Sequence, residues 1–88
     1  MKPPSFSFST HAIEQITKRG LSRSIISVVI ANPDVTFFAP EDIMIFQKVV
    51  YEPDKAYLYR VFVNIRKIPP LVVTAYKTSK INRYEDKI

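Results

Sequence analysis

The chain has 88 residues, 47% of them hydrophobic, with one histidine and no cysteine. That supports one domain, spanning 1–88, and excludes a disulfide framework, a thiolate metal site and a cysteine nucleophile. Thirteen Lys and Arg against eight Asp and Glu leave a formal charge of +5, which favours an anionic partner: nucleic acid, an acidic protein or an anionic surface.

The first residues, Met-Lys-Pro-Pro-Ser-Phe-Ser-Phe, read as an extended lead-in, because Pro3 and Pro4 resist helix. They lack the apolar stretch of a secretory signal, and no later run approaches the ~20 apolar residues of a membrane span. A cytoplasmic protein with no membrane partner is therefore expected, and the absence of cysteine fits a reducing compartment. Ser9 is a good N-cap, with Phe8 and Ile13 at the positions of a hydrophobic staple. A helix follows over residues 11–19, with Ala12, Ile13 and Ile16 as its apolar stripe. Lys18 and Arg19 suit the negative end of its dipole, and Gly20, the only glycine, stands where a left-handed residue ends a helix. Ser22 caps a second helix from Arg23 to about Ala31, with Ile25, Ile26, Val29 and Ile30 at helical spacing. Asn32-Pro33-Asp34 ends it.

Beyond Pro33 the periodicity becomes that of strands. Val35 to Phe38 is a short one and Ile43 to Tyr51 a longer one. Tyr57 to Arg66 and Leu71 to Lys77 complete the set. A turn at Glu52-Pro53-Asp54-Lys55 and short links favour antiparallel neighbours. The expected fold class is α+β, with two N-terminal helices on an antiparallel sheet of about four strands. Alternation along the third strand sends Tyr59, Val61, Val63 and Ile65 one way, toward the helices. Leu58, Arg60, Phe62, Asn64 and Arg66 go the other. In the fourth strand, Leu71, Val73 and Ala75 oppose Val72, Thr74 and Tyr76. Arg60, Asn64, Thr74 and Tyr76 then meet on the open face, where cations hold phosphate, hydroxyls donate hydrogen bonds and rings stack on bases.

Thr74-Ala75-Tyr76-Lys77-Thr78-Ser79-Lys80-Ile81-Asn82-Arg83-Tyr84, preceded by Val72-Val73, resembles the ending of the bacterial family known as domain of unknown function 4258. Thr10-His11-Ala12 with Lys18-Arg19-Gly20-Leu21-Ser22 resembles its opening, and Asn32-Pro33-Asp34 falls where its second helix stops. That family is grouped with the barnase, EndoU, colicin and RelE ribonucleases and toxins. The resemblance therefore implies a curved sheet in a RelE-like or BrnT-like arrangement. It also implies an RNA-cleaving site between the first helix and the open face. The protein would be a metal-independent endoribonuclease toxin needing no cofactor and no metal. Its partners would be RNA (mRNA or tRNA) and an antitoxin protein, with the oligomeric state left open.

Cleavage of this kind needs a base for the ribose 2′-hydroxyl, an acid for the leaving oxygen, and donors for the phosphorane-like charge. His11 is the one side chain whose ordinary titration lies near neutrality, and the first turn of its helix favours the neutral ring. Arg60 suits a bidentate phosphate contact. Tyr76 and Thr78 supply hydroxyls, which completes a catalytic set of His11, Arg60, Tyr76 and Thr78. Lys18, Arg19, Thr74, Lys77, Lys80, Arg83 and Tyr84 are the expected nucleic-acid-binding residues. The alternative is a non-catalytic RNA- or protein-binding module of the same fold, in which His11 and Arg60 stand apart.

Overall fold

The computed structural model describes residues 6–82. Its elements run β1 (Ser7–Phe8), α1 (Thr10–Lys18), α2 (Arg23–Ala31), β2 (Val35–Ala39), β3 (Ile43–Tyr51), β4 (Ala56–Asn64) and β5 (Leu71–Thr78).

Both helices start and stop where side-chain chemistry dictates. The Ser9 hydroxyl accepts the Ala12 N–H at 3.0 Å, and the Ser22 hydroxyl accepts those of Ser24 and Ile25. At the end of α1, Gly20 adopts φ 63. Its N–H bonds to the Thr17 carbonyl and that of Leu21 to the Ile16 carbonyl. This is the paired-bond cap that a left-handed residue makes possible, and it sends buried Leu21 back over the helix. Asn32, at the end of α2, leaves the helical region one residue before Pro33.

The sheet is mixed and has five strands in the order β1-β5-β4-β3-β2. The expectation of about four antiparallel strands is thus corrected. Ser7 and Phe8, read as a lead-in, pair in parallel with Leu71 and Val72 and form one edge. Two residues carry no readable alternation, so only their long-range partner reveals them. The other four strands are antiparallel. Glu41 and Asp42 turn β2 into β3, both in the left-handed region at φ 64 and 65.

The helices cover one face. Ala12, Ile16, Ile26, Val29 and Ile30 pack on Tyr59, Val61, Val63, Val72 and Ala75. Each large apolar side chain buried there contributes about 1.5–3 kcal/mol, and Ile26→Ala is expected to cost about 2–5 kcal/mol. Alternation in β4 matches the sequence reading, but that in β5 does not. A register shift beside Phe62 and Val63 pairs Thr74 with Phe62 and Val72 with Val63, skipping Val73. Val72 and Ala75 therefore both reach the core, three residues apart. No helix among the described residues is long and apolar enough to cross a membrane.

Candidate nucleic-acid interface

Register places Gln47 of β3 opposite Arg60 of β4, and Arg60 opposite Tyr76 of β5. These three form one row on the face away from the helices, since Tyr59 and Val61 on either side of Arg60 point into the helix-covered core. Arg60 Nε donates to Gln47 Oε1, and Nη1 donates to Tyr76 Oη at 2.7 Å. The Tyr76 ring stacks on Phe62 with centroids 6.1 Å apart and planes 28° apart. The guanidinium carbon lies 5.5 Å and 5.8 Å from those two centroids. Arg60, Phe62, Thr74 and Tyr76 are all half-buried. The result is a planar cation on an aromatic platform, with hydroxyls beside it.

Gln47 is fully buried, and its Nε2 finds no hydrogen-bond partner among the described residues. A buried donor left unsatisfied costs about 1–3 kcal/mol. Gln47 ends this row of three, with Arg60 at its centre, and its Nε2 is sealed from the surface. Gln47 stands outside the residues expected from the sequence. Its neighbours Ile43, Met44, Ile45 and Phe46 are apolar on both faces, so alternation in β3 gave no contrast. The available signal was a polar pair, Gln47-Lys48, inside an otherwise apolar strand.

The other expected site residues distribute as follows. Thr74 lies opposite Phe62 and Thr78 opposite Leu58, both on the Arg60 side. The Thr78 hydroxyl accepts the Lys80 N–H at 3.1 Å, and Lys80 itself is exposed. His11 is exposed on α1, and α1 packs on the opposite face of the sheet, over β5. The structure does not bring His11 to Arg60, because the sheet lies between them. Lys18 is exposed at the end of α1. It lines a hollow of about 380 Å³ with Ile13, Glu14, Gln15 and Thr17, away from the Arg60 row. Arg19 is used structurally, its Nη1 donating to the Ala75 carbonyl at 2.7 Å. Arg83 and Tyr84 lie outside the described residues.

Lys77 lies on the helix side, in a second row. Register sets Lys48 opposite Tyr59 and Tyr59 opposite Lys77. Glu52, from the β3–β4 turn, accepts from the Tyr59 hydroxyl and pairs with Lys77 Nζ at 2.8 Å. The ammonium lies 4.2 Å from the centroid of the Tyr57 ring. Burial, then the bond to Glu52, pushes the Tyr59 phenol well above its ordinary range. The Lys77 hydrogen bond, then that from Tyr59, holds the Glu52 carboxyl below its ordinary 4.5. Lys48 pairs with Asp34 at 3.5 Å. This cluster was also missed, because its central bond joins residues 25 apart in the chain.

The family model described as Domain of unknown function (DUF4258) matches residues 8–77, and the chain belongs to that family. No curated protein and no solved structure matches the chain.

Proposed function

We propose that this DUF4258 domain binds single-stranded RNA on the helix-free face of its sheet. In this reading Arg60 holds a phosphate, Phe62 and Tyr76 stack on bases, and Gln47 Oε1 orients the Arg60 guanidinium from below. The observation that carries it is the half-buried Arg60 guanidinium at the centre of the row, held by Gln47 Oε1 and Tyr76 Oη beside the stacked Phe62–Tyr76 ring pair. The formal +5 charge supplies long-range attraction. The order of two helices followed by antiparallel strands supports a RelE-like reading of the fold.

A second reading, a metal-independent endoribonuclease toxin neutralised by an antitoxin protein, is favoured by the Tyr76 and Thr78 hydroxyls on the same face as Arg60. Cleavage there would draw on Tyr76 to protonate the leaving 5′-oxygen and on Arg60 to stabilise the phosphorane-like charge, the 2′-hydroxyl proton passing to water rather than to the His11 imidazole.

Titrating isotope-labelled protein with a short mixed-sequence RNA tests both. Binding should move the amide signals of residues 47, 60, 62, 74 and 76. Shifts confined to α1 would overturn the proposed face. Incubation of the same RNA in chelator decides cleavage. If it occurs, Arg60→Ala and Tyr76→Phe should each slow it roughly a hundredfold, while His11→Ala leaves the rate unchanged. Loss of cleavage in His11→Ala alone would return catalysis to the helix.

A further inference from the structure

We infer that the outer edge of β2 takes up an extended segment of a partner protein as a sixth strand, apolar at alternate positions and flanked by basic residues. Among the described residues β2 pairs with β3 alone, and it ends the sheet. Its outer backbone groups are therefore a template for another strand. Exposed edges are ordinarily blunted by shortness, a lysine, a proline or a bulge. The opposite edge follows that rule, since β1 is two residues long. In contrast, β2 has five residues, Val-Thr-Phe-Phe-Ala, without a charge, a proline or a bulge among them.

The side chains of this edge also ask for cover. Phe38 is 77% exposed on the helix side, because α2 packs over β3 and β4 rather than over β2. On the other side Val35, Phe37 and Ala39 are half-buried and continue into Ile43 and Ile45 of β3. An added strand with apolar residues at alternate positions would cover Phe38 with one set of side chains.

Charge selects the occupant. Asp34 stands at one end of β2 and Glu41 and Asp42 at the other. Asp34 and Asp42 are each matched by one cation, Lys48 at 3.5 Å and Arg66 at 3.2 Å, both in partly exposed pairs worth little. Glu41 is exposed and has no ion-pair partner among the described residues. A second copy of the chain fits poorly. Two-fold pairing centred on Phe37 sets Asp34 of each copy opposite Pro40 of the other, next to its Glu41, so like charges meet at both ends. A strand with Lys or Arg at its ends meets both acidic ends favourably.

The test uses two synthetic peptides with the same core, Val-Thr-Val-Thr-Val. One carries two lysines at each end and the other two aspartates. Amide hydrogen exchange of the whole protein is followed with each peptide, in the absence of RNA. The lysine peptide should slow exchange at alternate amides of β2 by roughly tenfold or more. Added salt should shrink that effect, and Phe38→Lys should weaken it. Equal action by the aspartate peptide would overturn the proposal. So would protection at β1 or nowhere, or protection of β2 in the protein alone that rises with its own concentration, which would make a second copy the occupant.

Discussion

Two rows of side chains cross the same three strands one residue apart, Gln47, Arg60 and Tyr76 on one face and Lys48, Tyr59 and Lys77 on the other. Each pairs cations with tyrosines, and composition alone would not tell them apart. The Tyr59 row is closed. Glu52 joins Tyr59 to Lys77, and Asp34 takes Lys48. The Arg60 row holds its guanidinium and ring pair together, yet it leaves one buried amide donor unanswered among the described residues. A row whose polar groups all have partners contributes to the fold. The Arg60 row instead presents a half-buried guanidinium beside two stacked rings, and that is the physical reason to propose it for the ligand.

The largest effect that could break this contrast is on RNA affinity. Arg60→Ala should weaken binding of a single-stranded RNA roughly ten- to hundredfold, the worth of one or two charge-assisted hydrogen bonds. It should also lower the salt dependence by about one phosphate contact. Arg60→Lys keeps the charge but not the planar fork, so it should recover the salt dependence and only part of the affinity. Lys77→Ala should leave affinity almost unchanged, because that ammonium is committed to Glu52 on the other face. Equal losses in Arg60→Ala and Lys77→Ala, read by fluorescence anisotropy, would erase the difference between the rows.

The next effect lies on stability. Tyr59 is 2% exposed, and Tyr59→Phe removes its bond to Glu52 without opening a cavity. The expected cost is about 1–2 kcal/mol in urea unfolding, with RNA binding intact. The same row should shape the pH dependence. The Glu52 carboxyl titrates below its ordinary 4.5 when folded, so its contribution is present above that value and is lost as pH falls through the folded one. The Tyr59 phenol is shifted upward, so its contribution is present below its ordinary 10.0 and is lost as pH rises beyond it. Glu52→Gln should flatten the acid limb of a stability-against-pH curve. An unchanged limb would mean that the Glu52 contacts do not persist in solution.

Much of this was legible in the sequence, for local reasons. Ser9, Gly20, Ser22 and Pro33 bound their helices through contacts within a few residues. Alternation in β4 separated Tyr59 from Arg60 because valine and polar neighbours flank them in contrast. What escaped depends on distant partners. The two residues of β1 become a strand only against Leu71 and Val72, and the skipped Val73 reverses parity within β5. His11 was set beside Arg60 because each had suitable chemistry. Nothing local says on which side of the sheet a helix settles, and the apolar alternation that decides it was read for the core rather than for the site.

The smallest effect is the sharpest test of the orphan. Gln47→Met keeps the length and flexibility of the side chain while deleting both polar atoms. Losing the Nε2 donor relieves about 1–3 kcal/mol of unsatisfied burial, and losing Oε1 forfeits one hydrogen bond from Arg60 worth about 1 kcal/mol. The variant should therefore be between unchanged and about 2 kcal/mol more stable, with the slope of the urea transition unaltered. RNA affinity should fall several-fold, because Arg60 loses the Gln47 Oε1 that fixes its guanidinium. Stability and binding then move in opposite directions at one residue, which a residue serving the fold alone does not produce. A Gln47→Met protein that loses more than about 1 kcal/mol while binding RNA as before would put Gln47 in the same class as Tyr59, with its amide satisfied in solution. Both faces of the sheet would then be structural along these rows, and the +5 charge alone would remain to attract RNA.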